Sequence, residues 1–531
     1  MRNYSKKAEY SHILSKEILN KLSNYLNNSF NIKLSQKVYN AILYQVINTI
    51  VENVIHRIDY KIKYNNKTCK FFLPRNLVDF HSQLENKNLD RLIEKKFFQK
   101  REIFNIFKDF QFLKIFIKNL LFRKKRFTRY SNIIATQKKN IISDNVEFFK
   151  LEYRHYNEIK KIISFKKNWK ISNLKKINLI HGKVNEKFRT DFYKQFKNKD
   201  KEKRYILGLI IDLIPSQYFE MFYENFKSVS FSYQILPRII VSNAHNWYSN
   251  DQFKFFLGYS LANNSKYIDV QINGSHFLTK YSPHYNVSKN FIDGFISWGY
   301  KSKNKKIINL PCLYNCLLKK NKNKNKKNPN KILYVGASIA DHFKGYWGSY
   351  LDGGKVLEYQ NFRNIFFENL HLGVKRNFIL RMRDTNKISI KSSSKFLKKN
   401  YLTDVVEKID TSLSERIVKN DLKFLVVDHI STPFLEIANS NIPFILILNP
   451  KFNFFNKKYN YLIRLMIKEK ILFYNPKKAA TYLNKINFYK ISSSWAKDKE
   501  KQRIRHELMK HFYKKNKNWI KNWRSSIEKF N

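Results

Sequence analysis

The sequence predicts an α/β protein: two Rossmann-like domains facing a cleft, with an α-helical N-terminal extension and a C-terminal helix. Three observations carry this. Short, wholly apolar runs such as Leu422–Val427 and Phe444–Leu448 suit parallel strands buried on both faces. From Tyr205 onward, apolar runs alternate with stretches of helical length, the order of a parallel sheet with crossover helices. A polar, basic, low-complexity stretch, KKNKNKNKKNPNK, interrupts that order from residue 319 and reads as a linker.

The clearest unit is Leu422–Pro450, LKFLVVDHISTPFLEIANSNIPFILILNP, a strand, a helix over Pro433–Ser440 and a second strand. Thr432 can cap the helix, Pro433 suits its first position and Glu436 reads as a first-turn residue. A helix that starts just past a strand's carboxyl end offers free N–H groups and a positive dipole end to a phosphate. The same spacing also describes an ordinary well-capped crossover.

In chain order, residues 1–200 read as mainly helical. Ile42 to Ile55 carry the wide apolar face of a core helix. Ile103–Phe122 is amphipathic, aromatic and dotted with Lys, and RKKR follows it. Such a helix either packs on its own domain or lies on an anionic membrane surface. Residues 201–318 read as a first α/β domain, with strands at 205–212, 239–243 and 267–271. Residues 319–330 are the linker. Residues 331–497 read as a second α/β domain, with strands at 331–336, 377–383, 422–427 and 443–448. Residues 498–531 are helical, basic and carry Trp519 and Trp523.

The chain has 531 residues, with 102 Lys and Arg against 41 Asp and Glu, a formal charge of +61. That balance points to anionic partners: nucleic acid, anionic lipid or phosphorylated substrates. A duller cause competes, because the Lys, Asn, Ile, Phe and Tyr bias is that of an AT-rich coding sequence. Three cysteines (Cys69, Cys312, Cys316) without a CxxC pair argue against a disulfide framework or a zinc site. The start, MRNYSKKAEYSH, is no signal peptide, and no run of about 18 apolar residues occurs. The expected location is cytoplasmic, with peripheral contact to the inner membrane through the basic surface.

Several segments resemble the surface carbohydrate biosynthesis transferases, which are GT-B-like in their second half. They are LIPSQYFEMF (213–222), LPRIIVSNAHNW (236–247) with QINGSHF (271–277), NFIDGFISWGY (290–300), and STPFLEIANSNIPFILILNPKFNFF (431–455) with ILFYNPKKAATYLNKI (471–486) and WIKNW (519–523). They stand in the family's order over roughly residues 205–525, and LPRNLVDF (73–80) fits more loosely. Where the family shows Gln-His-Gly-Gly, this chain has Gln271, Ile272, Asn273 and Gly274. The family also often carries an additional N-terminal segment. The resemblance implies transfer of a sugar from a nucleotide-activated donor to a glycan or lipid-linked acceptor, in bacterial surface polysaccharide synthesis.

Such transfer needs a base for the acceptor hydroxyl and positive charge at the departing phosphate. His276 and His245 follow expected strand ends and are the base candidates, although a lone loop histidine is more often structural. Arg381 and Arg383 stand at a strand's carboxyl end, where guanidinium groups can grip phosphate. Ser431 and Thr432 would bind phosphate at the helix start. The resemblance gives Glu436 a ribose contact, against the plain reading of a helix stabiliser. The resembling segments put Asn243, Gln271 and Gly274 at the cleft. No Asp-x-Asp motif is present, which suits transfer without a metal, and no cofactor beyond the donor is expected. Two other readings compete: a basic RNA-binding protein, against which the absence of an RNP-type motif counts, and an impaired relative that only binds a sugar nucleotide.

Overall fold

A computed structural model describes residues 4–64, 141–149, 156–313 apart from 275 and 281, 331–337, 353–382, 406–418 apart from 408 and 410, and 421–530. The linker at 319–330, the amphipathic stretch at 103–122, Arg383, Cys69 and Cys316 lie outside the described residues.

The opening is helical. Helix α1 (Tyr4–Phe30) repeats apolar residues at Leu14, Ile18, Leu22 and Leu26, one face of a 3.6-residue period. That face joins Ile47, Val51 and Val54 of α2 (Gln45–Tyr64) in the core that extends under the first sheet.

The first sheet has six parallel strands: β1 (Ile141–Phe149), β2 (Trp169–Ser172), β3 (Ile235–Asn243), β4 (Lys266–Val270), β5 (Gly294–Ser297) and β6 (Ile307–Asn309). Their order is β2-β1-β3-β4-β5-β6. Two sequence expectations are corrected here. β1 and β2 arise within the region expected to be mainly helical. Tyr205–Asp212, expected as a strand, belongs to a helix, α3 (Lys201–Asp212). An apolar run buried on all sides fits either period, and the cap decides. The Asp200 carboxylate accepts from the Lys203 N–H at 2.8 Å, which satisfies one of the orphan donors of a helix start. The following α4 (Asp251–Ala262) is capped in the same way by Asn250, at 3.1 Å from the Phe253 nitrogen.

The second sheet has five parallel strands: β7 (Lys331–Gly336), β8 (Phe378–Met382), β9 (Leu422–Val427), β10 (Phe444–Ile447) and β11 (Leu472–Phe473), in the order β11-β10-β9-β7-β8. Alternate residues feed two separate cores. Ile332, Tyr334, Phe424 and Val426 face one, and Leu333, Val335, Leu425 and Val427 face the other. Burial on both faces explains the unbroken apolar runs. α5 (Gly353–Glu368) follows β7, and α6 (Thr432–Asn439) joins β9 to β10.

Each sheet runs out from its first strand in one direction and then reverses. The reversal falls between β1 and β3 in the first sheet and between β7 and β9 in the second. In doubly wound folds the crevice outside the strand carboxyl ends at such a reversal is the usual ligand position. The expected class, two parallel α/β layers with a helical N-terminal region, is the class observed.

The halves touch directly. Thr279 and Phe455 form an antiparallel bridge, flanked by Lys280 N–H to the Phe454 carbonyl (2.7 Å) and Asn456 N–H to the Leu278 carbonyl (2.9 Å). The chain then returns. α7 (Lys499–Phe512) packs on α6, where Arg505 donates to the Ala438 carbonyl at 2.9 Å and also to Ser440. A cation on those terminal carbonyls complements the helix dipole. α8 (Trp519–Glu528) covers the outer face of the first sheet. Its Trp519, Trp523 and Ile527 share a core with Val146, Phe148, Ile239 and Val241.

Candidate functional site at the junction of the two halves

β4 ends at Val270, and the chain enters a loop that reaches the other half. Gln271 is buried and fixes the loop from inside: its side-chain carbonyl accepts from the Trp298 N–H at 2.9 Å, and its amide donates to the Asn273 carbonyl at 2.7 Å. The Gly274 N–H donates to the Thr432 hydroxyl at 3.1 Å. A Cβ on Gly274 would stand 2.6 Å from Leu435 Cδ1 and 3.1 Å from the Ser431 carbonyl, so a larger residue would force Leu435 or the helix start to shift. Phe277 has φ of 65°, a left-handed conformation costly for a non-glycine residue.

Across the junction, α6 starts one residue earlier than expected. Ser431 is the N-cap and Thr432 the first helical residue. Glu436 therefore falls in the second turn, where it is buried. Thr432, at the first helical position, does not cap, and its hydroxyl accepts from the Gly274 N–H. Ser431 makes no side-chain cap, and its buried hydroxyl has no hydrogen-bond partner among the described residues. Sequence candidates from both halves, Gln271 and Gly274 with Ser431 and Thr432, thus meet at one place. Asn243 lies buried at the carboxyl end of β3, at the reversal point of the first sheet.

Three other candidates are placed differently. His276 is 1 % exposed, enclosed by Phe277, His284 and Phe295. Burial lowers its pKa to about 4 against the opposing hydrogen bond from Nδ1 to the Asn273 carbonyl at 3.1 Å. It is a neutral ring that holds the loop, and an acceptor hydroxyl reaches it only if the loop opens. Arg381 is buried, with its guanidinium donating to Glu407 and to the Thr411 carbonyl. Glu407 also receives Arg416 Nε at 2.6 Å. Arg381 therefore ties the stretch around Glu407 to the sheet instead of lying open to a phosphate. His245 falls in the helix Ala244–Ser249.

Sequence reasoning missed the groups at the second reversal point. Asp428, just past β9, accepts from the Ala337 N–H just past β7 at 2.8 Å. It also accepts from the Tyr334 and Tyr359 hydroxyls, and lies 3.0 Å from His429 Nδ1. Burial alone pushes the carboxyl up; the His429 contact and the two hydroxyls more than reverse this and hold it below the usual carboxylate range. The adjacent Asp-His pair before Ser431 was the visible signal. The tyrosines that complete it stand far away in sequence. No group of three His, Cys, Asp or Glu side chains suited to a metal occurs among the described residues.

A family model for the LIC12162 family of transferases matches residues 2–527. The chain belongs to that family. Membership extends through the helical opening, beyond the 205–525 stretch over which the sequence resemblance was drawn, and the protein is a transferase by family. No curated protein matches the chain. Among solved structures, S. aureus MnaA with UDP is similar at 10 % identity and a TM-score of 0.39, over 73 % of this chain and 97 % of that one. A mutant of S. aureus TarM, in complex with fondaparinux, α-GlcNAc-glycerol and UDP, is similar at 11 % identity and a TM-score of 0.35, over 58 % of this chain and 59 % of that one. Among the described residues, no helix of this family member is long and apolar enough to cross a membrane.

Proposed function

We propose that this transferase moves a sugar from a nucleotide-activated donor to a glycan or lipid-linked acceptor, in the synthesis of bacterial surface polysaccharide. One observation carries the reading. The second sheet's reversal point opens onto the start of α6, where Ser431 presents a buried hydroxyl with no hydrogen-bond partner among the described residues. A diphosphate suits that place, because helix N–H groups and dipole favour an anion and Ser431 can donate a hydrogen bond. Thr432 holds the Gly274 loop of the acceptor side against the same helix start. Glu436 is assigned to the donor's ribose, and Asn243 and Gln271 to shaping the acceptor side. The dipole takes the part a metal plays elsewhere in stabilising the leaving phosphate. Cationic surface would hold the protein at an anionic membrane face on the cytoplasmic side, close to lipid-linked substrates.

The test is a thermal-shift screen against CDP, UDP, GDP, TDP and CMP, with single-stranded RNA as control, at about 0.3 M salt to suppress loose phosphate binding. Stabilisation by one nucleotide, lost in Ser431→Ala, supports the donor site. Stabilisation by RNA alone overturns it.

A further inference from the structure

The geometry points to His429 as a second diphosphate-binding group, whose Nε2, when protonated, hydrogen-bonds the departing phosphate oxygen beside the α6 helix start. The inference rests on the donor-site reading and names a group for the part expected of Arg381, which is committed to Glu407 and Thr411.

Position comes first. His429 stands two residues before Ser431, past the carboxyl end of β9 and at the reversal point with β7. Its neighbours on either side, Asp428 and Ile430, are buried, while its own side chain is 13 % exposed. Orientation is built in. Nδ1 lies 3.0 Å from Asp428 Oδ1, and Nε2 has no hydrogen-bond partner among the described residues. A carboxylate on one ring nitrogen fixes the ring and leaves the other for a ligand.

The support behind Asp428 comes from two further elements. Tyr334 of β7 and Tyr359 of α5 donate to one of its oxygens, and the Ala337 N–H donates to the other. Arg363 of α5 stacks on Tyr359, 5.3 Å from the ring centre. Among the described residues, the charged and titratable groups around the pair are thus one carboxylate, two tyrosines that burial keeps protonated, and one guanidinium. A carboxylate secured by three donors besides His429 is held as an anion, and it fixes the ring through Nδ1 with Nε2 turned away from it.

In the transfer, the bond from the anomeric carbon to the diphosphate oxygen breaks with its electron pair going to that oxygen. The acceptor hydroxyl oxygen forms the new bond, and its proton leaves to solvent. His429 shares its Nε2 proton with the departing oxygen in a charge-assisted hydrogen bond and need not give it up.

Inorganic pyrophosphate is the probe, because it asks about the diphosphate and not the base. Its affinity is measured by calorimetry at about pH 6 and about pH 8, the window in which imidazole titrates, for the wild type, His429→Gln and Ser431→Ala. His429→Gln carries the pyrophosphate's own titration and serves as the pH reference. The expected result is wild-type binding that weakens about tenfold more than the variant's as pH rises, with the two converging at the upper pH. Wild-type pH dependence retained in His429→Gln, with binding lost in Ser431→Ala, overturns the role of His429 and leaves the donor site standing. No binding of pyrophosphate by the wild type overturns the donor site, and this inference with it.

Discussion

The Gly274 amide and the Thr432 hydroxyl meet at 3.1 Å across the junction of the two halves. The bond couples the loop after β4 to the start of α6, so movement of one half is felt at the helix start of the other. Gly274→Ala should break this approach, since the new methyl would lie 2.6 Å from Leu435 Cδ1. Overpacking of this kind costs about 1–3 kcal/mol. A lower melting temperature, with Thr432→Ser close to wild type, is the expected pattern in thermal denaturation.

Arg189 and Glu220 form a buried ion pair, with Arg189 Nε 2.7 Å from Glu220 Oε1. The same guanidinium donates to the carbonyls of Ile211, Asp212 and Ile214 just past or at the end of α3. Removing one partner leaves a buried charge, at a cost of about 3–5 kcal/mol. Glu220→Gln and Arg189→Met should each destabilise strongly in denaturant titration. The double variant Arg189→Met, Glu220→Leu should lose less than the sum of Arg189→Met and Glu220→Leu alone.

Asp269 in β4 is fully buried, near Trp247 Nε1 and the Tyr267 hydroxyl at 3.4 Å each. Burial pushes its pKa up from 3.8 to about 7, against the opposing hydrogen bonds. Between those values the folded chain holds a proton that the unfolded chain has lost. Stability from this group is therefore full below about pH 4 and declines as pH rises through 7. Denaturant melts at pH values on either side of that window should show the decline in wild type and its absence in Asp269→Asn.

Trp523 of α8 is fully buried, and its indole N–H donates to the Pro311 carbonyl at 3.1 Å. Trp523→Ala should cost about 3–5 kcal/mol. Because the ring seals the first sheet, amide exchange should accelerate in β1 and β3 and change little in β9 and β10.

The second sheet was legible because Leu422–Val427 and Phe444–Ile447 are buried on both faces and carry nothing but apolar residues, Lys423 apart. β1 escaped notice for the opposite reason. Ile141–Phe149 has Ser, Asp, Asn and Glu in its middle, and its first half is largely exposed. The strand at 205–212 was misread because eight apolar-rich residues fit a buried helix as well as a buried strand, and Asp200, the residue that decides, lies outside the run. Of the candidate site, the helix start could be read from local chemistry and the Gly274 loop from the family resemblance. Their meeting could not, because it depends on how the chain brings together two positions 158 apart in sequence. The enclosure of His276 and the capture of Arg381 by Glu407 are likewise tertiary facts, invisible to spacing.

The return of α8 to the first sheet sets an order on synthesis. A ribosome delivers β1 to β6 long before Trp519 and Trp523, so the outer face of that sheet stays wet while the whole second half is made. The second half waits less: β7 to β11 and the helices between them emerge as a contiguous block, and α7, which packs on α6, follows soon after. The later half of this chain is thus equipped to reach its final packing first, and the earlier half waits for the last helix to close it.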